Sequence, residues 1–501
     1  MHRRVVRPLV IGGLLSPVFA GTPPTSAVEK GISLQRRWTC FTERDAQARQ
    51  RQVERGMLPN VVFAGESQPA SVETRMTWHK VPALSVAVIH NGKLDWSATW
   101  GKLWTDGPRA DCSSLFQAGS LAKPVTLLAA LRMEHQGLID FDESIGTYLK
   151  SYHLPRGQQT DANQVTFANL FTHTSGITPG GYAGYAQGQP IPSDQQTVRA
   201  EAPTNSRKVE VLTAPGTSLA YSGGGYTVAE IALQDQLQKP FELIMHEWLL
   251  APVGMLEADF TQPLPAASHP YAARGHLTNG SAVPGGWNNH PEQAAAGLWA
   301  TARDMAAFLI EIRKAYRGES KVFAQAGIRK LLAKPFAGHA YGFRLIGEGD
   351  RLFITHYGGT VGYRAGMTLN LTTGDGAVIM TNSDTGSDLG SEFFSSVSRV
   401  YQWPMFREVQ VTRATQSVDV LQSLTGRYVF TEQNWAVSVV YDNNALTLVF
   451  PNGDRYAMTP IQGAPLEFIH PDTAVRAKFE REGGDLRIQL YGQTGRRQPS
   501  G

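Results

Sequence analysis

From Leu121 to Leu131 the chain runs apolar, interrupted only by Lys123, Pro124 and Thr126, and no other stretch constrains the fold as strongly. Proline is tolerated in a first helical turn, Arg132 and Met133 extend the run, and Gly137 supplies a C-terminal stop, so the segment reads as a helix. A lysine in the first turn of so apolar a helix is not simply solvated. Ser120 stands three residues before it, and helical positions three apart share a face within reach of each other. Ser120-Leu121-Ala122-Lys123 is the only Ser-x-x-Lys in the sequence. A serine hydroxyl is a weak nucleophile until a neighbour takes its proton, and a partly buried amine can do that. On its own the pattern is common on solvated helix faces. The preceding Leu115-Phe116-Gln117-Ala118-Gly119, apolar and ending in a glycine that lets backbone come close, raises it to the signature of an activated serine.

Two further segments bear on the same chemistry. Tyr221 lies between Pro215-Gly216 and the triplet Gly223-Gly224-Gly225, with a helix-like apolar run from Val228 to Leu237. A phenol beside a cationic amine ionises more readily, which suits a shared general base. His356-Tyr357-Gly358-Gly359 follows the strand-like Leu352-Phe353-Ile354. Paired glycines on a strand let a substrate lie against the backbone, where an N–H can face an oxyanion. Each of these two alone is more often a loop or a strand end.

In this order and spacing the segments resemble the serine β-lactamase and penicillin-binding-protein superfamily, of which Ser-x-x-Lys is a known element. The resemblance is nearest to class C β-lactamase-like esterases and D-amino-acid peptidases, and covers roughly residues 60 to 405. Leu170-Phe171-Thr172-His173-Thr174-Ser175-Gly176-Ile177 and Pro252-Val253-Gly254-Met255 match further motifs of that branch. The resemblance implies Ser120 as acylated nucleophile, Lys123 as its proton partner and Tyr221 as second member of the base pair. It implies the N–H groups of Ser120 and Gly359 as oxyanion hole, and Gly223, His356, Tyr357 and Gly358 as substrate-binding positions. His173, in its Thr-His-Thr-Ser-Gly turn, reads as structural.

Two departures from the family pattern stand out. Its Tyr-x-Asn is here Tyr221-Ser222-Gly223, without the side-chain amide, and its Lys-Thr-Gly is His356-Tyr357-Gly358, without the permanent cation. Both weaken the hold on a substrate carboxylate and on β-lactams. If His356 stands in for the cation, binding of an anionic substrate should tighten as pH falls through roughly 6.5.

At 501 residues, 42% hydrophobic and 18% charged, the chain can bury a large core and is too long for one average domain. A net charge of +3 without a basic patch argues against nucleic acid as partner. Arg3, Arg4 and Arg7, then an apolar stretch from Leu9 to Phe19 and Val18-Phe19-Ala20, read as a signal peptide over residues 1–20. That stretch is too short to span a bilayer, so no stable membrane span is expected after cleavage, and a periplasmic or secreted protein is. The alternative is an uncleaved anchor. Cys40 and Cys112 are the only cysteines; in an oxidising compartment they could pair or stay apart. No metal-ligand spacing and no phosphate loop is present, so no cofactor is expected, and the partner is a small molecule or short peptide.

The expected fold class is α/β (α+β): a β-lactamase-like antiparallel sheet flanked by helices, an all-helical subdomain, and a small C-terminal antiparallel barrel or sandwich. Leu84–Ile89 and Leu94–Trp100 around Asn91-Gly92 read as a hairpin, and Thr301 and Asp304 open a helix. Residues 21–60 read as a polar leader with a short helix over Gln47–Arg55, 61–405 as the hydrolase domain, 406–423 as a linker, and 424–501 as a β-rich, lipocalin-like domain. Three functions follow: a serine hydrolase cleaving an ester or amide, a peptidase or esterase on small or D-configured substrates; a β-lactamase or penicillin-binding protein; or a non-catalytic wall-binding or regulatory protein of the same fold.

Overall fold

Asn91 and Gly92 both take left-handed φ, 52° and 75°, as a two-residue hairpin turn demands. They join the strands Ala83–His90 and Lys93–Gly101, on which the main sheet is built. A computed structural model describes residues 39–333, 336–431, 435–464, 466–483 and 485–498. The signal peptide read at residues 1–20 lies outside them.

The main sheet has eight antiparallel strands. Their order is Phe41–Thr42, Lys93–Gly101, Ala83–His90, Gly376–Thr381, Tyr363–Asn370, Phe353–Thr360, Phe343–Ile346 and His339–Ala340. Side chains alternate between its faces as the period of two dictates. Ala83, Ala87 and Ile89 enter one core with the helices Ala122–His135 and Ala302–Arg317; Leu84, Val86 and Val88 enter another with Gln47–Arg55 and Gly386–Val400. Helix Ala302–Arg317 starts at a capping box, with Thr301 accepting from the Asp304 N–H and the Asp304 side chain accepting from the Thr301 N–H. Eleven of the fourteen residues of Ala122–His135 are buried, so this helix is enclosed on every side. Between the hairpin and the last strands the longer elements are helices, but loops and the two-residue strands Phe116–Gln117, Ile177–Thr178, Tyr185–Ala186, Glu210–Val211, Asn288–Asn289 and Trp299–Ala300 lie among them, so this part is not the all-helical subdomain expected. No helix among the described residues is long and apolar enough to cross a membrane.

The stretch read as a leader joins the fold before residue 60. Phe41–Thr42 pairs with the strand Lys93–Gly101, Ala46 and Val53 are fully buried, and Cys40 is disulfide-bonded to Cys112. Its charged residues hid this, because only one side of the helix Gln47–Arg55 is covered.

The C-terminal part is a closed barrel of eight consecutive antiparallel strands between Gly426 and Arg497. Tyr428, Phe430, Val437, Val439, Leu446, Leu448, Phe479 and Ile488 alternate inward and fill it. The stretch read as a linker belongs to this assembly as well. Val409–Val411 pairs in parallel with Val61–Phe63, and Leu421 packs into the barrel core.

Candidate active site

Ser120 lies in the short 3-10 turn Gly119–Leu121 that feeds the helix Ala122–His135. This turn meets the strand Phe353–Thr360 backbone to backbone. A Cβ on Gly119 (φ 53°) would sit 2.7 Å from the Gly359 nitrogen, and one on Gly358 would fall 2.0 Å from the Ala118 carbonyl oxygen. Glycine at both places is what permits the approach. Thr360 Oγ1 donates to Gln117 Oε1 at 2.6 Å, and Gln117 Nε2 to the Asn288 carbonyl at 2.6 Å, which fastens the turn from the side.

Helical spacing brings Lys123 to Ser120 as expected. Its Nζ donates to Ser120 Oγ at 3.2 Å and to the Ala295 carbonyl at 2.8 Å, and the side chain is buried. The amine also lies over two aromatic rings, 4.9 Å from the centroid of Tyr221 and 5.6 Å from that of Tyr226.

Tyr221 is 44% exposed, at the mouth of the site. Its ring packs on His173, with centroids 4.3 Å apart. Burial first, then the Lys123 charge, push the His173 pKa well below its ordinary value. The neutral Nδ1 accepts the Ser222 N–H at 3.1 Å, and Ser222 caps the helix Gly223–Leu237 by accepting from Gly225. His173 thus holds Tyr221 and the residue after it, in line with the structural reading.

Gly223 opens that helix. A Cβ there would be 3.1 Å from Tyr182 Cε2 and 3.2 Å from the Gly180 carbonyl, so any larger residue has to displace Tyr182. The Tyr182 hydroxyl is bonded to Thr227 Oγ1 at 2.8 Å.

His356 and Tyr357 separate. Strand alternation puts His356 on the face of Gly358, toward the serine turn. Burial, then the Lys123 charge, lower the His356 pKa to about 3. The imidazole is therefore neutral near pH 6.5, and the anticipated tightening there has no support from this residue. Tyr357 points to the opposite face: a Cβ on Gly366 would meet Tyr357 Cδ1 at 3.1 Å and Phe394 Cε2 at 3.2 Å. Its side chain is accordingly removed from the binding group, and only its backbone borders the site.

Sequence reasoning missed what stands behind Lys123. The Ala295 carbonyl belongs to the short helix Gln293–Ala296, and a backbone acceptor leaves no mark in a sequence. Around that helix lie Glu230, Glu292 and His290, all buried. Burial raises Glu292 to about 7 and, with the Lys123 charge second, lowers His290 to about 4. Among the described residues no group of three or more His, Cys, Asp or Glu is placed to hold a metal ion.

The beta-lactamase family model matches residues 70–393, and the chain belongs to that family, a class of serine hydrolases. A β-lactamase of Providencia stuartii is 27% identical over 206 residues, 41% of this chain and 49% of its own length. A D-alanyl-D-alanine-carboxypeptidase/endopeptidase of Escherichia coli strain K12 is 24% identical over 159 residues, 30% of this chain and 38% of its own length. The chain thus spans about half or less of the length of these relatives. The octameric penicillin-binding protein homologue from Pyrococcus abyssi shares the fold, with TM-score 0.56 and 17% identity over 85% of this chain and 98% of that one.

Proposed function

We propose that this protein is an exported acyl-transferring serine hydrolase in which Ser120 attacks the carbonyl of an ester or amide. The observation that carries the reading is the buried Lys123 amine at 3.2 Å from Ser120 Oγ, aimed by the Ala295 carbonyl. In its neutral form the amine takes the hydroxyl proton as Oγ bonds to the carbonyl carbon. The N–H groups of Ser120 and Gly359 receive the oxyanion. Collapse expels the alcohol or amine, protonated through Lys123 and Tyr221, and water then releases the acyl group by the reverse route. The disulfide between Cys40 and Cys112 supports an oxidising compartment and so the export read from the N-terminal sequence.

Gly223 and the neutral His356 give a substrate carboxylate neither a side-chain amide nor a cation. This favours small esters or D-configured amides over β-lactams, so the substrate preference is that of a peptidase or esterase. The likeness to a β-lactamase and to a D-alanyl-D-alanine-carboxypeptidase keeps β-lactam acylation as the second reading. Steady-state assays with a p-nitrophenyl ester, a D-alanyl p-nitroanilide and a penicillin test the preference. The first or second should be turned over with a kcat/KM at least about tenfold above that for penicillin. Penicillin as the best of the three would reverse the order of the readings.

A further inference from the structure

We propose that Glu230 is a positioning residue for Lys123, acting through the short helix Gln293–Ala296; the proposal rests on Lys123 being the proton partner of Ser120. Glu230 sits in the middle of the helix Gly223–Leu237 and is buried, with 1% exposure. A carboxyl so placed is costly unless it is hydrogen-bonded. Its two bonds both go to one place: Oε1 accepts the Gln293 N–H at 3.3 Å and Oε2 the Ala294 N–H at 2.9 Å.

These are the first N–H groups of Gln293–Ala296, donors that a helix start leaves without a partner within the helix, and that of Gln293 is shared with the Pro291 carbonyl at 2.9 Å. The residue at the capping position, Glu292, makes no side-chain cap bond. Glu230 therefore supplies the cap from a neighbouring helix. On the far side of the same turn the Ala295 carbonyl accepts from Lys123 Nζ at 2.8 Å, and Thr126 Oγ1 reaches the Ala294 carbonyl at 3.5 Å. The turn is a strut between two helices, clamped at one end by Glu230 and presenting at the other the carbonyl that aims the amine. Without the clamp, the buried Ala294 N–H loses its acceptor and the Gln293 N–H keeps only the Pro291 carbonyl, the turn relaxes, and Lys123 loses its fixed direction toward Ser120.

Burial holds the Glu230 carboxyl well above the usual carboxylate range, with neighbouring Asp194 and Glu292 adding to the effect. Glutamine keeps one acceptor oxygen, enough for the shorter bond from the Ala294 N–H, and leucine keeps none, which gives the test its contrast.

The experiment measures fluorophosphonate acylation rates by intact mass for wild type, Glu230→Gln, Glu230→Leu, Lys123→Ala and the double variant Lys123→Ala/Glu230→Leu. Amide hydrogen exchange across 293–296 is read on the same proteins. Glu230→Gln should stay within about threefold of wild type. Glu230→Leu should slow acylation by on the order of 10- to 100-fold with Lys123 present, and by less than about threefold in the Lys123→Ala background. Exchange at Ala294 should rise in the leucine variant and not in the glutamine one. Equal losses in both backgrounds, or unchanged exchange in Glu230→Leu, would overturn the proposal. If wild type is not acylated at all, the proposed function falls, and the exchange result still decides whether Glu230 clamps the turn.

Discussion

At the scale of single residues, the site is organised around where the Lys123 amine can go. It donates to Ser120 Oγ and the Ala295 carbonyl, and rests on the faces of Tyr221 and Tyr226. Lys123 and Tyr221 are in contact, and in the proposed mechanism they serve one proton path, so their losses should not multiply. Lys123→Ala and Tyr221→Phe are each expected to lower kcat by on the order of 100-fold, and the double variant by less than the product. Multiplicative losses in steady-state kinetics would show two independent functions. His356 offers a second test through pH. Its pKa is about 3 in the folded chain against an ordinary 6.5, so between those values the unfolded chain binds more protons. The contribution of His356 to stability is thus complete above about pH 6.5 and falls as pH drops toward 3. Measured against His356→Gln in denaturant titrations, wild type should lose roughly 1.4 kcal/mol per pH unit in that window. The KM for an anionic substrate should show no inflection near pH 6.5 caused by this residue. Parallel stability profiles for the two proteins would place the imidazole in contact with water.

At the scale of elements, the strand Phe353–Thr360 and the serine turn depend on having no side chain at their contact. Gly358→Ala forces a Cβ to within 2.0 Å of a backbone oxygen that cannot move cheaply, whereas a Cβ at Gly359 meets only the Arg364 side chain, at 3.3 Å. Thermal unfolding should show Gly358→Ala less stable by about 1–3 kcal/mol, and Gly359→Ala close to wild type. Equal effects would mean that the strand does not press on the turn. Elements that carry their own local signal were legible in the sequence. The hairpin at Asn91-Gly92, the capped helix at Thr301 and the helix Gln47–Arg55 form where local chemistry places them. The triplet at Gly223 reads as a loop, yet it opens a helix, because a Cβ on Gly224 would lie 2.3 Å from the Thr178 carbonyl and only glycine lets that segment pass. Nothing local encodes Thr178. The β-rich character of the C-terminal part was legible, but not its closure, which rests on Gly426–Phe430 pairing with Gln493–Arg497 at the far end of the barrel. In the site, Ser120 and Lys123 were legible through helical spacing. The direction of Tyr357 follows from strand register, and the Ala295 carbonyl from tertiary packing, neither of which a motif records.

At the scale of the whole molecule, the two ends of the described chain are fastened to the hydrolase core. The barrel meets it along a seam where Val61 and Phe63 pack with Ile461 and Ile469, and Trp78 Nε1 donates to Asp472 at 3.3 Å. The interior of the barrel is filled by side chains. At the other end the disulfide from Cys40 to Cys112 closes a loop across 72 positions and anchors the segment just before the serine turn. Closing so long a loop restricts the unfolded chain, so Cys40→Ser/Cys112→Ser should lower the unfolding free energy by about 2–4 kcal/mol while Ser120 stays reactive at room temperature. An unchanged unfolding free energy would mean that the bond is not formed in the protein as isolated.

The most direct measurement is intact mass after incubation with a fluorophosphonate, followed by peptide mapping of the adduct. Wild type should gain a single adduct on Ser120, and Ser120→Ala should gain none and lose turnover, while Ser113→Ala and Ser114→Ala, whose serines sit in the neighbouring Asp111 turn, should behave as wild type. An adduct on another residue, or turnover persisting in Ser120→Ala, would contradict the account.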